Sequence, residues 1–131
     1  MSRSGKTLTT LKIPHLGGAL LRGARIASIA NHRFVLSDLQ GKALRTRPVV
    51  GDATLVDVDG DLVVYSVGTR LHLLRLGDGR DVALRSKGQF GYASAKLWRG
   101  GFFYTYNGSS GSKPGHAGFV SAAGVRALLR R

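Results

Sequence analysis

Apolar residues in this chain come in short runs, each ended by Gly, Asn or Pro, a rhythm of strands and turns rather than of helices. Lys6–Ile13 alternates imperfectly and stops at Pro14, which reads as a strand. Gly17–Leu21 opens a fuller unit, in which Arg25–Ala30 and Arg33–Asp38 form a hairpin across Asn31-His32 and Lys42–Arg47 follows the Gln40-Gly41 turn. A second unit is the most regular. Ala53–Val58 turns at Asp59-Gly60 into Leu62–Ser66, then at Gly68-Thr69 into Arg70–Arg75, and Gly77-Asp-Gly79 leads to Arg80–Arg85. In a third, Tyr92–Trp98 and Phe102–Asn107 pair across Arg99-Gly100-Gly101. The Gly- and Ser-rich stretch Gly108–Gly115 then replaces a tight turn with a long loop, and His116–Val120 resumes as a strand. Ala122–Arg131 has Val125, Leu128 and Leu129 at helical spacing; it reads as an outer strand or a short closing helix, with the spacing favouring helix.

These units repeat. A shift of 36 residues at the start and 38 at the end lays Arg25–Lys42 on Asp61–Arg80, and a third copy begins at Gly100, 39 residues after its counterpart. A period of about 40 residues built only from short strands is the signature of propeller blades. The fold expected is therefore all-β: about three four-stranded antiparallel blades, a partial β-propeller forming one domain over residues 1–131, with a short C-terminal helix as one ending. The blades fall at about 17–50, 51–86 and 89–131, and residues 6–13 form a stray outer strand.

The strings Ser37-Asp-Leu-Gln-Gly-Lys42 and Arg75-Leu-Gly-Asp-Gly-Arg80 resemble the blades of bacterial β-propellers, which include Tol-type, pyrroloquinoline-quinone-type and WD-type repeats. Phe103–Asn107 followed by Lys113–Val120 looks like the last blade of propeller domains in uncharacterised bacterial proteins. The resemblance covers most of residues 18–130 and implies an interaction scaffold, since propellers host many roles. Closed propellers usually have four to eight blades, so three imply completion by the remaining blades of a larger protein or by a second copy. The blade tryptophans of the quinone-type group are missing, Trp98 being the single tryptophan, so no cofactor is expected.

Composition adds three points. Glycine, at 19 of 131 residues, is about twice its usual share of ~7%, as many tight turns require. The absence of cysteine excludes disulfides and thiolate metal sites. No apolar run approaches the ~18 residues of a membrane-spanning helix, and the first residues lack a signal-peptide core, so the expectation is a soluble chain not exported by the usual route.

The net charge of +13 is extreme for 131 residues. All seven acids are Asp between Asp38 and Asp81, whereas residues 82–131 carry eight cations and no acid. This admits a polyanion-binding module for nucleic acid or acidic polysaccharide, but no window holds more than two adjacent cations, and a binding footprint needs clustering.

Candidate chemistry is sparse. Asp57-Val-Asp-Gly-Asp61 resembles a calcium loop, but a loop of that kind needs a later bidentate carboxylate and the chain has no Glu; a hairpin turn explains the same residues. His15, His32, His72 and His116 have no ligand spacing, although His32 and His72 sit near equivalent repeat positions. No Gly-x-Ser-x-Gly elbow or phosphate loop occurs, so no enzyme is expected. The densest aromatic patch gives the candidate contact surface: Lys96, Trp98, Arg99, Tyr104, Tyr106 and Lys113. On alternation, Phe103 and Thr105 point one way and Phe102, Tyr104 and Tyr106 the other; one face packs on the neighbouring blade, and Tyr104 and Tyr106, near the long loop, lead the contact candidates.

Overall fold

A computed structural model of the chain describes residues 16–68, 70–84, 92–106 and 116–130. The expected strand at 6–13, the loop at 108–115 and Lys113 lie outside the described residues. Eleven strands and one helix form three antiparallel sheets. The first is β1(Leu16–Arg22), β2(Arg25–Ala30), β3(Arg33–Asp38) and β4(Ala43–Pro48), each paired with the next. The second is β5(Ala53–Asp59), β6(Leu62–Val67), β7(Arg70–Arg75) and β8(Asp81–Ala83) in the same order. The third is β9(Tyr92–Trp98), β10(Gly101–Tyr106) and β11(His116–Val120), followed by α1(Ala122–Arg130).

The sheets stack face to face as blades do. Phe34, Ile29, Val63, Tyr65 and Leu74 fill the core between the first and second sheets. Val64, Leu71, Leu73, Leu97, Phe102, Val125 and Leu129 fill the core between the second sheet and the third with its helix. The middle sheet is thus covered on both sides, which explains why four consecutive residues of β6 and of β7 are buried where a half-exposed strand would alternate. The inner strands converge, β1 against β5 and β5 against β9. The outermost strand of the first sheet, β4, is exposed along nearly its whole length.

The three antiparallel sheets are as expected, and of the two endings weighed for Ala122–Arg131 the favoured one, a helix, follows β11, the third sheet having three described strands. Ser121 caps that helix, its Oγ accepting from the Gly124 N–H at 3.1 Å, while Val125 and Leu129, four apart, are its buried residues. The second unit turns one residue later than expected. Asp59 pairs with Leu62, leaving Gly60 and Asp61 as the loop, with Gly60 at φ 59°. The Asn31-His32 turn lies where expected, and both residues take positive φ, 52° and 61°, as a type I′ hairpin requires. No described helix is long and apolar enough to cross a membrane.

Candidate interaction surface

The outward face of the third sheet is built from three neighbouring strands. Phe103 of β10 stands opposite Lys96 of β9 and Phe119 of β11. Trp98, two residues on from Lys96, shares their face. The Trp98 and Phe119 rings meet edge-on, with centroids 6.2 Å apart at 66°. The Arg99 guanidinium carbon lies 4.8 Å from the centre of the Trp98 ring. Arg99 reaches it from a two-residue turn with Gly100 in which both residues have positive φ, 50° and 82°; for a non-glycine residue this costs about 1 kcal/mol. Gly101 is required here, because a Cβ would run into the Val120 carbonyl and the Phe119 ring.

This face is apolar and open. Trp98 is 57% exposed, Phe119 52% and Phe103 44%. Position in the repeat makes this informative. Phe103 is the third residue of the second strand of its sheet, counted from the pair that closes the first hairpin (Trp98–Gly101). The same count from Arg22–Arg25 and Asp59–Leu62 gives Ala27 and Val64, and both are fully buried, at 0%, in the cores between sheets. Phe103 therefore occupies a place that a following sheet covers in the first two units.

The candidate residues consequently separate. Lys96, Trp98 and Arg99 come together at one corner of the open face. Tyr104 turns to the opposite face, half-buried against the second core, with its ring 5.7 Å from Phe102. Its cross-strand partner is Gly118, where any Cβ would strike the phenol, so the ring lies over the glycine. Tyr104 thus lies with Phe102 on the packed face of the sheet, and Phe103 lies on the open one. The backbone of Tyr106 ends β10, opposite His116.

A second group was not anticipated as a unit. Asp57, 4% exposed on β5, ties all three inner strands together. Its Oδ1 accepts from Arg22 Nη2 of β1 at 2.6 Å and from the Val58 N–H at 2.9 Å. Its Oδ2 accepts from the Leu97 N–H of β9 at 2.7 Å. Arg22 Nε also donates to the Val58 carbonyl at 3.2 Å. A bulge between Leu55 and Asp57 aims the carboxylate, and these strands border a cleft of about 290 Å³ lined by Arg22, Asp57, Val58, Asp59, Lys96 and Leu97. Both oxygens of the residue that opens the calcium-like string are thus spent on protein donors. The only sequence signal was the acid itself, and the bulge that redirects it left no mark.

A third group joins β6, β7 and β8. The Tyr65 hydroxyl and His72 Nδ1 both bond Asp81, the latter at 2.9 Å, and the two rings stack at 4.8 Å. Burial, then the bond to Asp81, push the Tyr65 phenol above its ordinary value. His72 lies inside β7, whereas His32 sits in the β2–β3 turn with its Nδ1 2.7 Å from the Gly51 carbonyl oxygen. The two histidines are therefore not equivalent.

No family model matches this chain, and no curated protein sequence matches it. A solved structure does: the β-propeller domain of Cps50 (Swd1) from Myceliophteria thermophila, with a TM-score of 0.58 and 16% identity over 88% of this chain. The chain spans 42% of that domain's length. At this identity the likeness is one of fold. It supports a β-propeller arrangement of the sheets and does not extend to the bacterial, Tol-type or quinone-type groups.

Proposed function

We propose that this chain is a non-catalytic propeller segment that serves as an interaction scaffold and is completed by further blades. The observation that carries the reading is the exposure of Trp98, Phe103 and Phe119 at 57%, 44% and 52%, on a sheet face whose counterparts in the repeat are covered. An apolar cluster of this kind, rimmed by the charges of Lys96 and Arg99, has the character of a protein-binding patch. The span of 42% of a comparable propeller supports the partial character of the ring.

The test is affinity capture from the native source with the full chain and with Phe103→Asp, each bait checked for its β circular dichroism. The scaffold reading expects a defined set of proteins held by the natural chain and lost from the folded variant. Identical sets on both baits would refute it.

A further inference from the structure

We infer that the outer edge of β11 is a docking site for an extended, apolar segment of the partner protein, which joins the third sheet as its fourth strand. This deepens the scaffold reading above, on which it rests.

The first two sheets show what the third lacks. β3 takes β4 on its outer side and β7 takes β8, both antiparallel. β11 holds the same place in the third sheet, and among the described residues no strand pairs with its outer side. The stretch that comes next does not serve. Ser121 caps α1 directly after β11, and Val125 and Leu129 sink the helix into the second core, where it packs on β8, β10 and β11. Ala122–Arg130 is thus committed to the packed face of the sheet rather than to its edge. Stacked sheets cover faces and leave outer edges free. β4 is exposed along nearly its whole length, although Ala27 and Ile29 on one face of its sheet and Ser28 and Ser37 on the other are buried. A sheet seated on Phe103 would therefore leave the edge of β11 accessible.

The residue types single out this edge. An outer strand presents a row of backbone donors and acceptors with which any extended chain can pair; charges, Pro or short length guard against it. β4 carries Arg45, Arg47 and Pro48, and β8 has three residues led by Asp81. β11, His116-Ala-Gly-Phe-Val120, has no Lys, Arg, Asp or Pro in its five residues. Phe119 lies on it opposite Phe103, so an added strand sets alternate side chains beside the aromatic face. That selects a segment apolar at every second position. It also disfavours Lys and Arg, because residues 82–131 carry eight cations and no acid. Backbone pairing then supplies affinity, and the aromatic face supplies choice.

The probe is a capped, fluorescein-labelled peptide of six residues, the length of β4, alternating Val and Thr. Two further copies are N-methylated, one at the Val amides and one at the Thr amides; in an extended chain these two sets line opposite edges. Binding to the full chain is read by fluorescence anisotropy, and hydrogen exchange of assigned amides locates it. The expected results are slowed exchange in β11 with β4 unchanged, and a loss of about tenfold or more in affinity for one methylated copy alone. Unchanged exchange in β11, protection at β4 instead, or equal behaviour of the two methylated copies would each overturn the inference. Proteins captured through Phe103 that excess peptide fails to displace would sink strand docking while leaving the scaffold reading intact.

Discussion

Asp57→Ala tests the inner staple directly. It removes a side chain that bonds both neighbouring sheets, leaving the Leu97 N–H and the Val58 N–H without their acceptor and Arg22 without its anion. An orphaned buried N–H costs about 1–3 kcal/mol. The Arg22 contact adds less, because that side chain is 45% exposed and can return to water; about 1 kcal/mol is appropriate for it. The adjoining cleft can admit water to one of the two amides, so the net loss is about 2–4 kcal/mol, a large part of the 5–15 kcal/mol that holds a typical domain. Urea unfolding at fixed protein concentration measures it, and at an m-value of about 2 kcal/mol/M the midpoint drops by about 1–2 M. Trp98 is the sole tryptophan and lies next to Leu97, so its fluorescence reports the third sheet while circular dichroism reports the whole. The staple predicts coincident transitions in the natural chain and an earlier fluorescence transition in the variant. Arg45→Ala is the control: it breaks an ion pair at 3.7 Å that is exposed on both sides, and it changes stability by about 0.5 kcal/mol or less. If the two variants cost the same, the staple does not hold the sheets together.

Two further outcomes follow from the cores. The Tyr65 phenol titrates higher folded than unfolded, so the stability it contributes is complete below pH ~10, the ordinary phenol value, and is lost as pH rises toward the folded value; Tyr65→Phe is expected to lower stability by about 1–3 kcal/mol at pH 8, since the Val50 N–H loses an acceptor, and to flatten the alkaline decline, with denaturant midpoints between pH 8 and 11 as the readout. Leu129→Ala, at a position 3% exposed in the second core, is expected to cost about 2–5 kcal/mol in chemical unfolding, whereas Arg130→Ala on the exposed side stays within about 0.5 kcal/mol.

Local pattern carried most of the fold. β2, β3, β7, β9 and β11 have the bounds that alternation and turn residues predict, and β2, β3 and β7 lie between short turns that fix their register. The same signal misplaced the Gly60-Asp61 turn by one residue, since Asp59-Gly60 and Gly60-Asp61 have equally good turn chemistry and only the pairing of Asp59 with Leu62 decides. The helix was legible from Val125 and Leu129, but its Ser121 cap was not singled out. At the site, alternation placed Phe103 opposite in sense to Tyr104, yet it could not tell which face meets the neighbouring blade. That choice depends on packing between sheets, where Phe102 joins Leu73 and Leu97. The Asp57 staple was illegible for the same reason: its three donors come from strands up to 40 residues apart.

Charge makes the two uses of the open face separable by the sign of a single slope. Some of the cations serve structure: Arg22 binds the Val58 carbonyl at the inner edge of the first junction, and Arg47 binds the Leu76 and Gly77 carbonyls at its outer edge, at 2.8 and 3.0 Å. The four ion pairs among the described residues all lie within residues 22–81. Lys96, Arg99, Arg126 and Arg130 lie in a half of the chain without an acid, and the first two border the aromatic face. Salt at about 0.15 M screens charges beyond roughly 8 Å. A protein partner held by the apolar contact of Trp98, Phe103 and Phe119 should therefore stay bound or tighten as salt rises from 0.02 to ~0.3 M. Binding of heparin or DNA would run the other way, weakening steeply over the same range through counterion release. Elution of captured proteins across that series measures the first slope and retention on a heparin column the second. A partner that falls away as salt is added would mean that charge, rather than Trp98, Phe103 and Phe119, holds it.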